Sequence, residues 1–217
     1  MKKLTILIVC MFMFTTAPLA ETVKINHISL NLEDVDGYTA SYDSSLEKSY
    51  LAKQTKYIRT YTKAQSNNKF LCDVHIAIHD KMTNLNIESK SKHLLLDVAN
   101  NVVVNIKNNT KKFIPDISDP ANKAILDNLK LGELLFIDNS RTDDFVSVTI
   151  MSKSSIDGTQ FYQISNIIHI YLLKTSFIIY SNGYTANKRY INDTIAAVKD
   201  QSNLFIEEIQ KMNPVTH

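Results

Sequence analysis

Four strand-like segments joined by very short links constrain the fold of this chain more than any other feature. The segments read ELLFID, DFVSVTIMS, FYQISNIIHIYLL and SFIIYSNGY, and NSRTD, SSIDGT and KT lie between them. Parallel neighbours need a crossover of a dozen or more residues, so links this short predict an antiparallel meander. The third segment has apolar residues at both odd and even positions, which predicts a central strand covered on both faces.

The C-terminal segment has the spacing of an amphipathic helix. Intervals of four and three residues connect Ile191, Ile195, Val198, Ser202, Phe205, Ile209 and Met212, and the back is charged at Lys199, Asp200, Glu208 and Lys211. We expect this stripe to pack on the sheet, with docking onto a partner as the alternative. The predicted fold class is α+β: an antiparallel sheet, a meander in its C-terminal half, flanked by helices and covered by this long helix.

The remaining segments predict further strands and helices. VKINHISLNL at residues 23–32 is predicted to form one strand, and YTASY at 38–42 is predicted to be extended. TKYIRTYTK at 55–63 is predicted to be a strand rather than the continuation of a short helix that starts near Ser44. Helices are predicted for KHLLLDVANNVVVNIKN and for SDPANKAILDNLKLGE, the second capped by Asp119 and ended by Gly132.

The first 20 residues have the composition of a Sec signal peptide. Lys2 and Lys3 precede an apolar run at residues 4–14, and TTAPLA supplies small residues up to Ala20. We expect a signal peptide at residues 1–20 and a single α+β domain at residues 21–217, in the periplasm or secreted from a bacterial cell. An uncleaved membrane anchor is the alternative, although the run is shorter than the roughly 20 residues of a bilayer span.

The charge of the chain predicts no nucleic-acid partner. It has 24 basic and 22 acidic residues, and Lys2 and Lys3 of the leader account for the difference. A balanced chain is not drawn to nucleic acid or to an anionic membrane. We expect the partner to be a protein or an envelope component of unknown identity, and we expect no stable membrane span after signal cleavage.

The stretch FLCDVHIAIHD at residues 70–80 contains the most reactive residue types. Its apolar residues Phe70, Cys72, Val74, Ile76 and Ile78 alternate with Asp73, His75, Ala77 and His79, which predicts a half-buried strand. Cys72 then points to the core and is predicted to be buried and unreactive. Asp73 and His75, about 7 Å apart along a strand, could ligate an ion only with help from a neighbouring strand. A solvated polar face is therefore the expectation, and a metal or acid–base role is the alternative.

No enzyme motif occurs in the sequence. The 4 glycines are isolated, so neither a phosphate-binding loop nor a dinucleotide fingerprint can be built. His169, on the predicted central strand, is the best isolated site candidate, although histidines in cores are usually hydrogen-bonded structural residues. We therefore predict an exported, non-enzymatic accessory or binding protein with no cofactor and no metal. The alternative is a metal-assisted or acid–base hydrolase that uses Asp73, His75 and His169.

Tyrosines cluster near the start of the predicted domain. Five of the 10 tyrosines are Tyr38, Tyr42, Tyr50, Tyr57 and Tyr61. A tyrosine has an apolar ring with a polar tip, and such residues are enriched at interfaces. These five are the candidate binding residues, with placement around the rim of the core as the alternative.

Two segments resemble uncharacterised exported bacterial proteins. The segment from NIIHIYLL to EEIQKMN is similar to their strand pair, tyrosine-containing loop and long terminal helix ending at an asparagine, and SLNLEDVDGYTASY is similar to their opening strand and glycine turn. The layout is similar to the PsbP/Mog1-like α+β fold. The resemblance covers about a third to half of the chain, implies a fold more than a function, and supplies no catalytic residues.

We predict that the exported protein begins at Glu21, because the small-residue segment ends at Ala20. N-terminal sequencing of the protein recovered from the periplasm measures this directly. Retention of Met1 in a membrane fraction would contradict the prediction.

Overall fold

The structure is a computed structural model, and it describes residues 21–25, 28–32, 35, 37–41, 55–63, 70–82 and 86–214. The strands are β1 (Glu21–Ile25), β2 (Ile28–Leu32), β3 (Thr39–Ser41), β4 (Thr55–Thr62), β5 (Leu71–His79), β6 (Lys111–Lys112), β7 (Leu134–Arg141), β8 (Phe145–Ile156), β9 (Thr159–Leu172) and β10 (Thr175–Thr185). The α-helices are α1 (Lys92–Asn109), α2 (Pro120–Asp127) and α3 (Ile191–Met212), and 3-10 turns lie at Asp80–Met82, Ser89–Ser91 and Lys188–Tyr190.

One eight-stranded sheet organises the fold. Its strand order is β3-β4-β5-β10-β9-β8-β7-β6, while β1 and β2 form a separate hairpin. The pairs in the sheet are antiparallel except for β6 with β7, which are parallel. Strands β7 to β10 follow one another as neighbours, which confirms the predicted meander and the α+β class. The β8–β9 link turns at Asp157 and Gly158, whose φ values of 50° and 79° suit a two-residue hairpin turn.

Helix α3 lies on one face of the sheet, as its stripe predicts. Its first half packs with α2 and with β7, β8 and β9, and its second half packs with β2, β4, β5, β9 and β10. The buried members of the stripe include Ile191, Ile195, Val198, Phe205 and Ile209, each at most 4 % exposed. These residues remove most of their apolar surface from water, which is the main force that holds the helix on the sheet.

A glycine on β10 sets the distance between α3 and the sheet. A Cβ atom at Gly183 would lie 2.6 Å from Thr194 Cγ2 and 2.7 Å from Val198 Cγ2, so a larger residue fits only if these side chains or the helix shift. The close approach lets the Ser181 hydroxyl donate to the Val198 carbonyl at 3.1 Å. Gln201 Nε2 donates to Ser181 Oγ at 2.7 Å and to the β5 carbonyl of residue 73 at 2.9 Å.

The opposite face of the sheet is covered in part by α1. Leu96, Ala99 and Val103 of the helix pack with Phe136, Val146 and Val148. Strand β9 thus has α3 on one face and α1 on the other, which confirms that it is central and covered on both sides. Strand β5 has the predicted period of two, because Val74, Ile76 and Ile78 are at most 1 % exposed on the α3 face. Its other face is not solvated as expected, since Ala77 is 0 % exposed and the His75 side chain is 12 % exposed.

The boundaries differ from the sequence predictions at two places. The predicted single strand at residues 23–32 is two strands, since Ile25 pairs with Ile28 across a reversal of the chain. Helix α2 ends at Asp127, five residues before Gly132, although Asp119 caps its start as predicted through a 2.8 Å bond from the Ala121 amide. The short helix predicted near Ser44 lies outside the described residues.

We predict that Phe205→Ala lowers the free energy of unfolding by about 3 to 5 kcal/mol, because it leaves a cavity in the core. Phe205 is 0 % exposed, and its ring centroid lies 5.0 Å from that of Tyr38 and 4.9 Å from that of Tyr61. Urea unfolding beside the parent measures the loss.

Glu207→Ala is the matched control, because Glu207 is exposed two residues further along the same helix. It should change stability by no more than about 0.5 kcal/mol. Lys199 is a poorer control, since its ammonium lies 2.7 Å from Asp138 Oδ2. Equal urea midpoints for Phe205→Ala and the parent would instead favour the alternative in which α3 docks onto a partner.

Candidate functional site

A network of polar side chains crosses four strands on the α1 face of the sheet. We call Thr60, Asp73, His75, Gln163, Ser165, Asn182 and Tyr184 the polar network. Strand pairing sets Thr60 opposite His75, and Asn182 opposite both Asp73 and Ser165. Gln163 Nε2 donates to Ser165 Oγ at 3.3 Å, Ser165 Oγ donates to Asn182 Oδ1 at 2.7 Å, and Asn182 Nδ2 donates to Asp73 Oδ1 at 2.8 Å.

Asp73 and His75, two of the predicted site residues, are in contact. His75 Nε2 lies 3.0 Å from Asp73 Oδ1, and His75 Nδ1 lies 3.0 Å from Thr60 Oγ1. Their side chains are 20 % and 12 % exposed, and Thr60 is 5 % exposed. Both ring nitrogens of His75 therefore have protein partners, and the hydroxyl beside the ring has little access to solvent.

His169, the third predicted site residue, lies apart from this pair. His169 lies on β9, and β10 separates β9 from β5. Ile178 of β10 pairs with both His169 and Ala77, so His169 lies level with Ala77 of β5. Strand spacing and rise put its Cα about 12 Å from that of His75. Burial lowers the pKa of His169 below its usual value. The structure thus brings Asp73 and His75 together but does not bring His169 to them.

Cys72 faces away from both histidines of its strand. It is 8 % exposed, which confirms the predicted burial. Burial, followed by the negative charge of Asp73, raises the pKa of the Cys72 thiol to about 11. The low reactivity of this thiol stays a prediction.

The structure describes three of the five candidate binding tyrosines. Tyr61 is 1 % exposed in the core, and Tyr38 is half-buried with its hydroxyl 2.9 Å from Gln201 Oε1. Burial raises the pKa of Tyr38 to about 12. Tyr57 belongs to β4, and Tyr42 and Tyr50 lie outside the described residues.

A large apolar cleft, which we call the aromatic groove, opens next to the polar network. Its volume is about 830 Å³, and its walls are Phe70, Leu71, Ile156, Phe161, Tyr184 and Tyr190. Thr159, Thr185, Ala186 and Asn187 complete the lining, so no lining residue is charged. Leu71 and Ile156 are 62 % and 65 % exposed. These two side chains therefore leave exposed apolar surface at the cleft.

Tyr184 belongs to both the groove and the polar network. Its ring meets that of Phe161 edge to face, with centroids 6.0 Å apart. Burial, followed by the negative charge of the nearby Asp73, raises the pKa of Tyr184 well above its usual range. The groove therefore has a neutral wall whose polar tip lies near the Asp73 carboxylate.

Sequence patterns did not predict the groove, because its walls come from five separate segments. The sequence contained one signal for the groove. Leu71 is a large apolar residue on the same face of β5 as Asp73 and His75. An apolar residue on a polar strand face indicates either a hidden contact or an exposed apolar surface. Which of the two applies depends on which strands lie beside β5, and the periodicity of the sequence does not identify those strands.

Two further observations concern metals and membranes. In the described ranges, no three His, Cys, Asp or Glu side chains are grouped closely enough to hold a metal ion. No helix within those ranges combines the length and apolar composition needed to cross a membrane.

Comparison with known proteins yields little. No family model matches the chain, and no curated protein matches it. The crystal structure of LpqN, described as involved in cell envelope biogenesis of Mycobacterium tuberculosis, matches with a TM-score of 0.29 and 13% sequence identity. That match covers 80% of this chain and 77% of LpqN. A likeness at this TM-score supports no argument about function, and these findings give no link to the PsbP/Mog1-like group.

We predict that His169 makes the fold sensitive to mild acid. Because its pKa is lowered in the folded state, the unfolded chain binds a proton more readily once the pH falls through about 6.5. The free energy of unfolding should therefore decrease from about pH 7.5 to pH 5, and His169→Gln should show a smaller decrease than the parent. Urea unfolding at several pH values measures both slopes.

His93→Gln is the control, because His93 is exposed on α1. It should keep the slope of the parent. An unchanged slope in His169→Gln would show that this histidine is not held neutral by burial.

Proposed function

We propose that this chain is an exported, non-enzymatic binding protein whose aromatic groove takes the apolar part of an envelope-derived ligand. The groove is the observation that supports the proposal. Ligand sites are mostly apolar clefts of about 300 to 1,000 Å³ with a few fixed polar groups, and a cleft of about 830 Å³ falls within that range. The export step rests on the leader at residues 1–20, which lies outside the described residues.

The walls of the groove suit an apolar ligand rather than a sugar or a nucleotide. Four of them are the rings of Phe70, Phe161, Tyr184 and Tyr190, and none of the lining residues has a charge that could neutralise a phosphate inside the cleft. Aromatic rings contribute large apolar contact areas with few rotatable bonds, so little side-chain entropy is lost when a ligand binds. A ligand that covers Leu71 and Ile156 would also remove their exposed surface from water.

The polar network supports this use by keeping the groove in shape. Next to Tyr184, the Asp73 carboxylate accepts from Asn182 and contacts His75. A floor held by several hydrogen bonds needs no rearrangement when a ligand arrives, which lowers the entropic cost of binding. The buried members of the network act as the rigid floor of the site.

The hydrolase alternative has one observation in its favour, the contact between Asp73 and His75. A general base needs a ring nitrogen within reach of the substrate, and both nitrogens of His75 already have protein partners. Thr60 lies beside the ring in the place of a nucleophile, but its burial leaves no approach for a substrate. His169 is too far from the pair to take part. The geometry therefore supports binding better than hydrolysis.

We predict that Ala186→Trp strongly weakens binding of an apolar probe, because Ala186 lines the groove and an indole there would fill it. The probe is N-phenyl-1-naphthylamine, a neutral dye that fluoresces in apolar surroundings. Titration of the parent protein should show saturable binding, and the variant should show at least a ten-fold weaker signal.

Ala196→Trp is the matched control, since Ala196 is exposed on α3 outside the groove. It should bind the dye as the parent does. Equal binding by the parent and Ala186→Trp would mean that the dye occupies another place and that the groove is not the site.

A further inference from the structure

We infer that the ligand of the aromatic groove is an anionic amphiphile whose acid group is held by Arg189. This inference rests on the proposed binding function and adds the chemistry of the ligand. A single tail and a single carboxylate or similar acid are its two required parts.

Arg189 is attached to the rim of the groove by two lining residues. Its backbone amide donates to Asn187 Oδ1 at 3.1 Å in the 3-10 turn that follows β10. Its guanidinium donates from Nη2 to the Tyr190 hydroxyl at 2.5 Å and lies 4.6 Å from the centre of the Tyr190 ring. Both ends of the residue are therefore fixed beside the cleft.

Arg189 and the neighbouring cation differ in their ion pairs. The neighbouring Lys188 forms an ion pair with Asp127, whereas Arg189 is exposed and has no ion pair within the described ranges. A guanidinium has five N–H donors, and the Tyr190 hydroxyl accepts one of them. The planar fork of the remaining donors matches a carboxylate or a phosphate.

The uncharged lining fixes how such a ligand would lie. A charged group inside the cleft would lose its hydration without gaining an opposite charge, so the acid group belongs at the rim and the tail inside. Asp157 is a competing charge, because it lies in the turn between the lining residues Ile156 and Thr159. It would favour a cationic ligand instead. No described aromatic ring is bonded to Asp157, whereas Arg189 is fixed on Tyr190, and this difference favours the anion.

Three probes with the same ten-carbon tail test the inference: decanoate, decanol and decylamine. Each is titrated into the protein by calorimetry and by displacement of N-phenyl-1-naphthylamine. We expect decanoate to bind about ten-fold or more tighter than decanol, and decylamine to bind most weakly, because a hydrogen bond to a charged group contributes at least that factor. In Arg189→Gln the advantage of decanoate should disappear while the affinity for decanol stays unchanged.

Lys174→Gln is the matched control, because it removes an exposed cation at the opposite end of β10. It should keep the preference for decanoate, and all variants should keep the urea midpoint of the parent. Equal affinities for decanoate and decanol, a preference that survives Arg189→Gln, or tightest binding of decylamine would each overturn the inference while leaving the groove as a binding site. Failure of all three probes to bind the parent would overturn the proposed function together with the inference.

Discussion

Helix α3 can lie directly on the sheet because β10 has a glycine where the two elements cross. With any side chain at position 183, Thr194 and Val198 would be pushed away from the strand. The polar contacts beneath the helix depend on this distance, since Ser181 and Gln201 reach across it to backbone carbonyls. A buried polar group that loses its partner costs about 1 to 3 kcal/mol. A displaced helix would therefore lose these hydrogen bonds as well as apolar contact.

The same contacts connect the two faces of the sheet. Gln201 binds the backbone carbonyl of Asp73 from the α3 side, while the carboxylate of Asp73 contacts His75 and Asn182 on the α1 side. Contacts of Asp73 on both faces of the sheet thus fix the position of β5 relative to β10. At the far end of the helix, Asn213 accepts from the Asn31 amide and donates to the Asn31 carbonyl, which fixes the β1–β2 hairpin on the same core. The polar network and the hydrophobic core are therefore parts of one cooperative arrangement.

Local patterns predicted the elements well, because burial on one face leaves a clear period in the sequence. The alternation in β5 and the stripe of α3 both follow from this rule, and both predictions are confirmed. The contact between Asp73 and Asn182 could not be predicted in this way, since it depends on which strand lies beside β5 and in which register. Residues 73 and 182 are far apart in the chain, and a shift of one residue would turn either side chain to the other face. The groove was missed for the same reason.

Among the residues that the structure describes, the helical cover of the α1 face stops before the end of the sheet, and the groove lies beyond it. Helix α1 packs on β7, β8 and β9, whereas the groove lies where β5 begins, β10 ends and the β8–β9 hairpin turns. Apolar walls there stay open to solvent although the neighbouring layer of the sheet is polar and hydrogen-bonded. Open apolar surface supplies affinity, and a rigid polar floor supplies orientation. A chain that needed only stability would gain by covering Leu71 and Ile156, so their exposure beside the packed rings of Phe161 and Tyr184 supports a role in binding.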